Sequence, residues 1–167
     1  MEVEMNPITL NPDFFTTLFR HQLAVRNVFK DVLGLYGISH VALTHINEKN
    51  QLLSLSSTPS LEFNLFYSQL WRYDKTYHPN WYPQEKPATW QSLYTADRYD
   101  DLYFLKQEKY QYALGLSLPI KFNHAYFIYS IASKAIEKDS HTVFKNDHAL
   151  LYKIGHYCSN KLLPLFL

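Results

Sequence analysis

The side chains of this chain best equipped for chemistry are its eight histidines, its single cysteine and its fifteen carboxylates, and their spacing limits what they can do. His40 and His45 stand five apart on one predicted strand, which sends them to opposite faces. His141 and His148 lie seven apart near the last predicted helix, and His156 and Cys158 are only two apart on it. None of these pairs has the spacing of a compact zinc site, so no metal is expected. A Gly-x-Ser-x-Gly elbow, a P-loop, a Gly-x-Gly-x-x-Gly loop and a His-Glu-x-x-His pair are all missing from the sequence. Cys158 falls on the apolar side of its helix and reads as a packing residue rather than a nucleophile. The expectation is a protein that is not an enzyme and carries no cofactor.

Bulk composition narrows the class further. Sixteen Lys and Arg nearly balance fifteen Asp and Glu, without any basic run, which argues against nucleic-acid binding by this segment itself. A lone cysteine permits no internal disulfide and is compatible with a reducing compartment. No stretch reaches the roughly 18 apolar residues of a membrane span, and the acidic start Met1-Glu-Val-Glu-Met-Asn lacks the pattern of a secretion signal. Aromatic residues make up 17% of the chain, most of them expected to fill a core. A cytoplasmic protein follows, with no membrane partner. At 167 residues it is one domain spanning 1–167.

The elements that must position any site are legible from periodicity. Asn11-Pro12-Asp13 reads as a helix start, with apolar residues from Phe14 to Tyr36 at helical spacing and Gly34 and Gly37 as the stop, giving a helix of about 23 residues. Ile38–Ile46 and Gln51–Ser57 read as a hairpin around Glu48-Lys-Asn50, and Pro59 opens an apolar-aromatic helix reaching Trp71. Pro79, Pro83 and Pro87 make the stretch from Tyr73 an ordered aromatic loop. Residues 96–111 read as a weakly amphipathic helix. Leu114, Leu116, Leu118, Ile120 and Phe122 alternate with Gly115, Ser117, Pro119 and Lys121, a strand with one apolar face and one of small or polar groups. Asn123-His124 turns it into a returning strand, and a last helix runs from about Glu137 towards Pro164. The sum is an α/β (α+β) fold, an α-β-α sandwich with a central antiparallel sheet of about five strands, of the GAF/PAS-like type.

The string Gly115-x-Ser117-x-Pro119-Ile120, a short turn and an aromatic-aliphatic strand carrying Ser130 resemble the autoinducer-binding domain of LuxR-type transcription regulators. Gln107-Glu-Lys-Tyr-Gln-Tyr-Ala-Leu resembles the helix leading into that strand, and the order of elements agrees over about residues 12–163. The resemblance implies a ligand held between the sheet and the mid-chain segment. Trp90 matches the second tryptophan of the family's site, and Asp74 its aspartate, with His78 as rival. Ser57 and Leu61 stand where the family has a Tyr-x-x-x-Trp pair, and Phe122, Asn123 and Ala125 replace its turn glycines. By this likeness Asp74 would orient a ligand amide, while Ser117 and Ser130 would offer hydroxyls. Tyr67 and Trp71 belong to the aromatic cover.

Ligand-sensing through a small amphipathic molecule, an acyl-homoserine lactone or another, is therefore expected, in a homodimer that reaches DNA only through a helix-turn-helix domain outside this chain. The alternative is a protein-interaction domain of the same fold whose pocket is filled by its own aromatics, with surface Tyr, Phe and Trp of the 63–90 region as the docking patch.

Overall fold

The computed structural model describes residues 6–167; the acidic start weighed against a secretion signal falls almost wholly on residues 1–5, outside the described residues. Strand β1 (Thr9–Leu10) precedes helices α1 (Phe14–Arg20) and α2 (Gln22–Phe29), hairpin β2 (Ile38–Ile46) and β3 (Gln51–Ser56), and helix α3 (Pro59–Tyr67). Three 3-10 turns (Leu70–Tyr73, Lys75–Tyr77 and Tyr82–Gln84) lead to β4 (Ala88–Thr89), α4 (Trp90–Leu93) and α5 (Tyr99–Tyr103). A π-turn (Phe104–Glu108), hairpin β5 (Leu114–Phe122) and β6 (Ala125–Ser133), and helices α6 (Lys138–Asn146) and α7 (His148–Leu162) complete the order.

The sheet, expected to have about five strands, has six in the order β1-β3-β2-β6-β5-β4, the outermost two being only two residues long. The three long neighbours β2, β6 and β5 are antiparallel throughout, while β1 lies parallel to β3 and β4 adds two residues to β5. Alternation along each strand sorts its side chains between two layers. Val41, Leu43, Leu116, Leu118, Phe127 and Ile131 meet α2, α6 and α7. Ile46, Leu52, Ile128 and Ala132 meet α1, α3 and the mid-chain aromatics. The α-β-α sandwich stands as expected. Among the described residues no helix is long and apolar enough to cross a membrane.

All four predicted helices differ from the observed ones: the helix from Pro59 to Trp71 stops at Tyr67, and Trp71 lies in the 3-10 turn Leu70–Tyr73. The single helix of about 23 residues is two short ones, broken at His21 (φ −107°, ψ 35°), and α2 stops at Phe29 well before the left-handed Gly34 (φ 95°). The last helix is broken at Asp147 (φ −127°, ψ 62°), whose carboxylate accepts the Leu150 N–H at 3.2 Å and so starts α7 anew. The weak helix over 96–111 is a 3-10 turn, one α-helical turn and the π-turn.

The α7 layer explains the histidines and the cysteine. His45 packs against Phe127 and Phe166, whereas His40 lies on the other face beside Trp90 and Tyr112. Cys158 is fully buried, and burial, with the Asp31 charge adding to it, pushes its thiol up to about 12. Burial lowers the proton affinity of His45 and, on the same layer, of His156. The unfolded histidines protonate near pH 6.5, before the folded ones do. This contribution to stability is therefore complete above about pH 6.5 and is lost as pH falls towards the folded value. The unfolding midpoint in urea is expected to fall between pH 7 and 5, and His45→Phe to flatten part of that slope; an unchanged slope would assign the loss to other groups.

Candidate functional site

On the sheet face turned to the mid-chain segment, register places His40, Ala132 and Gly115 in one row and Ala42, Ser130 and Ser117 in the next. Most of these side chains are small, so the face is a shallow trough between the bulkier Thr44 and His40 of β2 and the rising mid-chain loops. The trough is filled. The Trp90 ring lies so close on Gly115 that a Cβ there would collide with it, which is why the strand carries glycine at that point. Thr76 Oγ1 meets Ser117 Oγ at 3.1 Å.

The centre of the filling is a lysine. In the π-turn Phe104–Glu108 three consecutive residues, Leu105, Lys106 and Gln107, are buried, which an α-helix with its interior on one side does not allow. Lys106, 1% exposed, reaches Asp74, also 1% exposed, with Nζ 2.7 Å from Oδ2. Its ammonium also stands 4.5 Å from the Trp90 ring centroid and 5.5 Å from that of Tyr94, a carboxylate and two aromatic faces around one cation. The other oxygen of Asp74 accepts the Thr76 N–H at 3.0 Å and starts the turn Lys75–Tyr77, while its backbone bridges to Tyr94. Gln107 holds the same corner: Tyr94 Oη donates to its Oε1 at 2.8 Å, and its Nε2 donates to the Tyr112 carbonyl at 3.2 Å.

A second carboxylate stands nearby. Glu62, 3% exposed on α3, has Oε1 3.4 Å from His40 Nε2. His40 Nδ1 lies 2.9 Å from Thr58 Oγ1, which in turn lies 2.8 Å from Tyr112 Oη. The Tyr77 hydroxyl is raised well above the usual phenol value, by burial first and then by the charges of Asp74 and Glu62, with a hydrogen bond to Thr44 pulling the other way. Burial and Asp74 likewise raise Tyr94. Both carboxylates thus act on one enclosed region. Within it His40 Nε2, Glu62 Oε2, Trp90 Nε1 and Ser130 Oγ are buried without a hydrogen-bond partner among the described residues.

The predicted site residues fall into two groups. Asp74, Trp90, Ser117 and Ser130 come together at this centre, and Trp71 is buried at its margin against Phe66 and Tyr77. Tyr67 does not join them: it is 71% exposed, stacked on Phe63 at the outer side of α3. His78 also lies apart, half-buried in its own turn with Nδ1 accepting the Asn80 N–H. Tyr67 instead lines an open groove of about 740 Å³ between α3 and the α5–π-turn segment, with Tyr73, Arg98, Phe104 and Lys109. Sequence reasoning missed Lys106, Glu62, His40 and Thr76. Glu62 could have been found, because it shares the inward spacing of Phe66 one helical turn later; Lys106 could not, since a π-turn leaves no period to read.

No family model and no curated protein matches the chain by sequence. Solved structures do match its fold. One is CepR2 of Burkholderia cenocepacia, an N-acylhomoserine lactone dependent LuxR family transcription factor, at TM-score 0.58 and 10% identity over 93% of this chain and 99% of that one. SdiA of Escherichia coli matches at TM-score 0.52 and 12% identity, over 92% of this chain and 69% of that one. SdiA in complex with octanoyl-rac-glycerol matches at TM-score 0.54 and 13% identity, over 94% and 69%. At such identities the likeness establishes a shared fold, and the autoinducer-binding domain resemblance read from Gly115–Ser130 holds at that level.

Proposed function

We propose that this chain is a non-catalytic small-molecule-sensing domain of a LuxR-type transcription regulator, with its ligand held between the antiparallel sheet and the mid-chain aromatic segment. One observation carries the proposal: Glu62 Oε2, Trp90 Nε1 and Ser130 Oγ are buried with no hydrogen-bond partner among the described residues, where α3 and α4 cover a sheet face of small side chains. A layer shaped for stability alone rarely keeps such groups, since each costs about 1–3 kcal/mol. A guest that accepts from the Trp90 N–H and donates to Glu62 satisfies two of them, and the surrounding Leu61, Leu65 and Trp71 suit an apolar tail. The ligand is thus a small amphipathic molecule. Binding stabilises the folded form. The likeness to LuxR-type proteins adds homodimerisation, a cytoplasmic setting and output to DNA through a helix-turn-helix domain outside this chain.

The test is a thermal-shift and calorimetric titration with N-acyl-homoserine lactones and with octanoyl-rac-glycerol, the ligand classes named for CepR2 and SdiA. At a hundredfold excess over Kd a ligand stabilises by about 2.7 kcal/mol. For a chain of this size that is a rise in Tm of roughly 5–10 °C. No shift with either class or with octylamine, each up to its solubility limit, would remove the reading. A second reading, a protein-interaction domain with a self-filled pocket, is favoured by the Lys106–Asp74 pair at the centre and by the exposed aromatics Tyr67 and Phe104 outside. It predicts no response to any small molecule.

A further inference from the structure

The seat beside Asp74 is built for a cation, and we propose that the ligand taking it carries a protonated primary amine that replaces the Lys106 ammonium. This rests on the sensing reading above and names the chemical class that the reading leaves open. The seat is composed of the Asp74 carboxylate at 2.7 Å and the faces of Trp90 and Tyr94 at 4.5 and 5.5 Å from the nitrogen. Aromatic faces present negative potential and a buried carboxylate demands a partner, so all three walls favour positive charge. A neutral head group that pushed Lys106 out would leave Asp74 enclosed without a counter-charge. An alkylammonium exchanges one for one and keeps the balance. The surroundings favour a cation further: Glu62 is a second enclosed carboxylate with Oε2 unpaired, and its neighbour His40 is charged only when protonated.

Exchange would act through the turn that carries Lys106. The lysine enters the core from the π-turn Phe104–Glu108, flanked outside by the exposed Phe104 and Tyr103, and π-turns are single-turn irregularities that often mark functional positions. Exchange requires this one turn to rotate and give up the Gln107 bonds to Tyr94 and to the Tyr112 carbonyl, while the strands that carry Gly115, Ser117 and Ser130 keep their pairing. Lys106 thereby acts as the resting occupant, and a ligand must compete with a tethered ammonium.

Chemical rescue tests the proposal. Lys106→Ala removes three methylenes and the ammonium, a volume that n-propylammonium restores and propan-1-ol matches without charge. Millimolar n-propylammonium is expected to raise the Tm of Lys106→Ala in a saturable manner. Propan-1-ol should do so at least tenfold less effectively, and Asp74→Asn/Lys106→Ala should lose the preference. In the unsubstituted protein the response to n-propylammonium should be weaker, because Lys106 competes. If Lys106→Ala does not fold alone, the readout is the folded fraction recovered by dilution from urea with each additive. Equal effects of amine and alcohol, or no effect of either, would overturn the proposal. Lactone binding without amine rescue would leave the sensing reading standing and remove the cation seat; amine rescue without lactone or monoacylglycerol binding would do the reverse for the lipid-like ligand classes.

Discussion

Lys106→Met is expected to destabilise the protein by about 3–5 kcal/mol, because it strands the Asp74 carboxylate in an enclosed site. For a chain of this length that corresponds to a fall in Tm of roughly 6–20 °C. Methionine fills nearly the same volume, so packing contributes little to the loss. What disappears is the 2.7 Å contact to Asp74 and the cation over the Trp90 and Tyr94 rings. Asp74→Asn added to Lys106→Met should recover most of the loss: the amide oxygen still accepts the Thr76 N–H, and no charge remains to be paired. Urea unfolding of the two single variants and the double variant measures this directly. A loss below about 1 kcal/mol in Lys106→Met would mean that water reaches Asp74 and that the pair behaves as a surface one.

Trp90→Ala should cost a similar amount, about 3–5 kcal/mol, for a different reason. The indole is fully buried, lies flat on Gly115, and meets His40 and Tyr112 edge-on. Its removal leaves a hole over the one strand position without a side chain, where neighbours have little freedom to close in. Trp90→Phe is expected to lose much less, since the Nε1–H makes no hydrogen bond within the protein and only ring area is reduced. Trp90 and Lys106 touch, so their effects should not add; a double-mutant cycle with a coupling of at least about 0.5 kcal/mol is expected, and strict additivity would place the lysine charge elsewhere than over the ring.

The sheet was readable in the chain because its information is local. Leu114 to Phe122 alternates strictly, Asn123 accepts the left-handed turn (φ 54°), and the partner strand returns in register. Ser117 and Ser130 lie on that frame, whereas Asp74 and Trp90 were carried over from the resemblance to LuxR-type domains; the structure puts all four in one region. The rest depended on contacts between distant segments. Asp74 and Lys106 are 32 residues apart, and each alone looks like a surface charge; only the fold makes them a pair. Tyr67, expected in the aromatic cover over the ligand, is one residue further round α3 than buried Phe66 and faces out. The helix lengths were overestimated where a single residue, His21 or Asp147, leaves helical geometry while the apolar spacing carries on past it.

The margins of the sheet bear on how copies of this chain can associate. On β5 the residues whose backbone N–H points away from β6 include Ser117, Pro119 and Lys121. Ser117 is paired with Ala88 of β4, Pro119 has no N–H to offer, and the Lys121 N–H is taken by Glu85 at 2.7 Å. At the opposite margin β1 covers Gln51 and Leu52, and α1 lies along β3. Among the described residues, neither margin offers more than a short stretch of ladder to an incoming strand. Short, covered margins of this kind disfavour edge-to-edge pairing between copies and leave the helices and loops as the larger surfaces for any association.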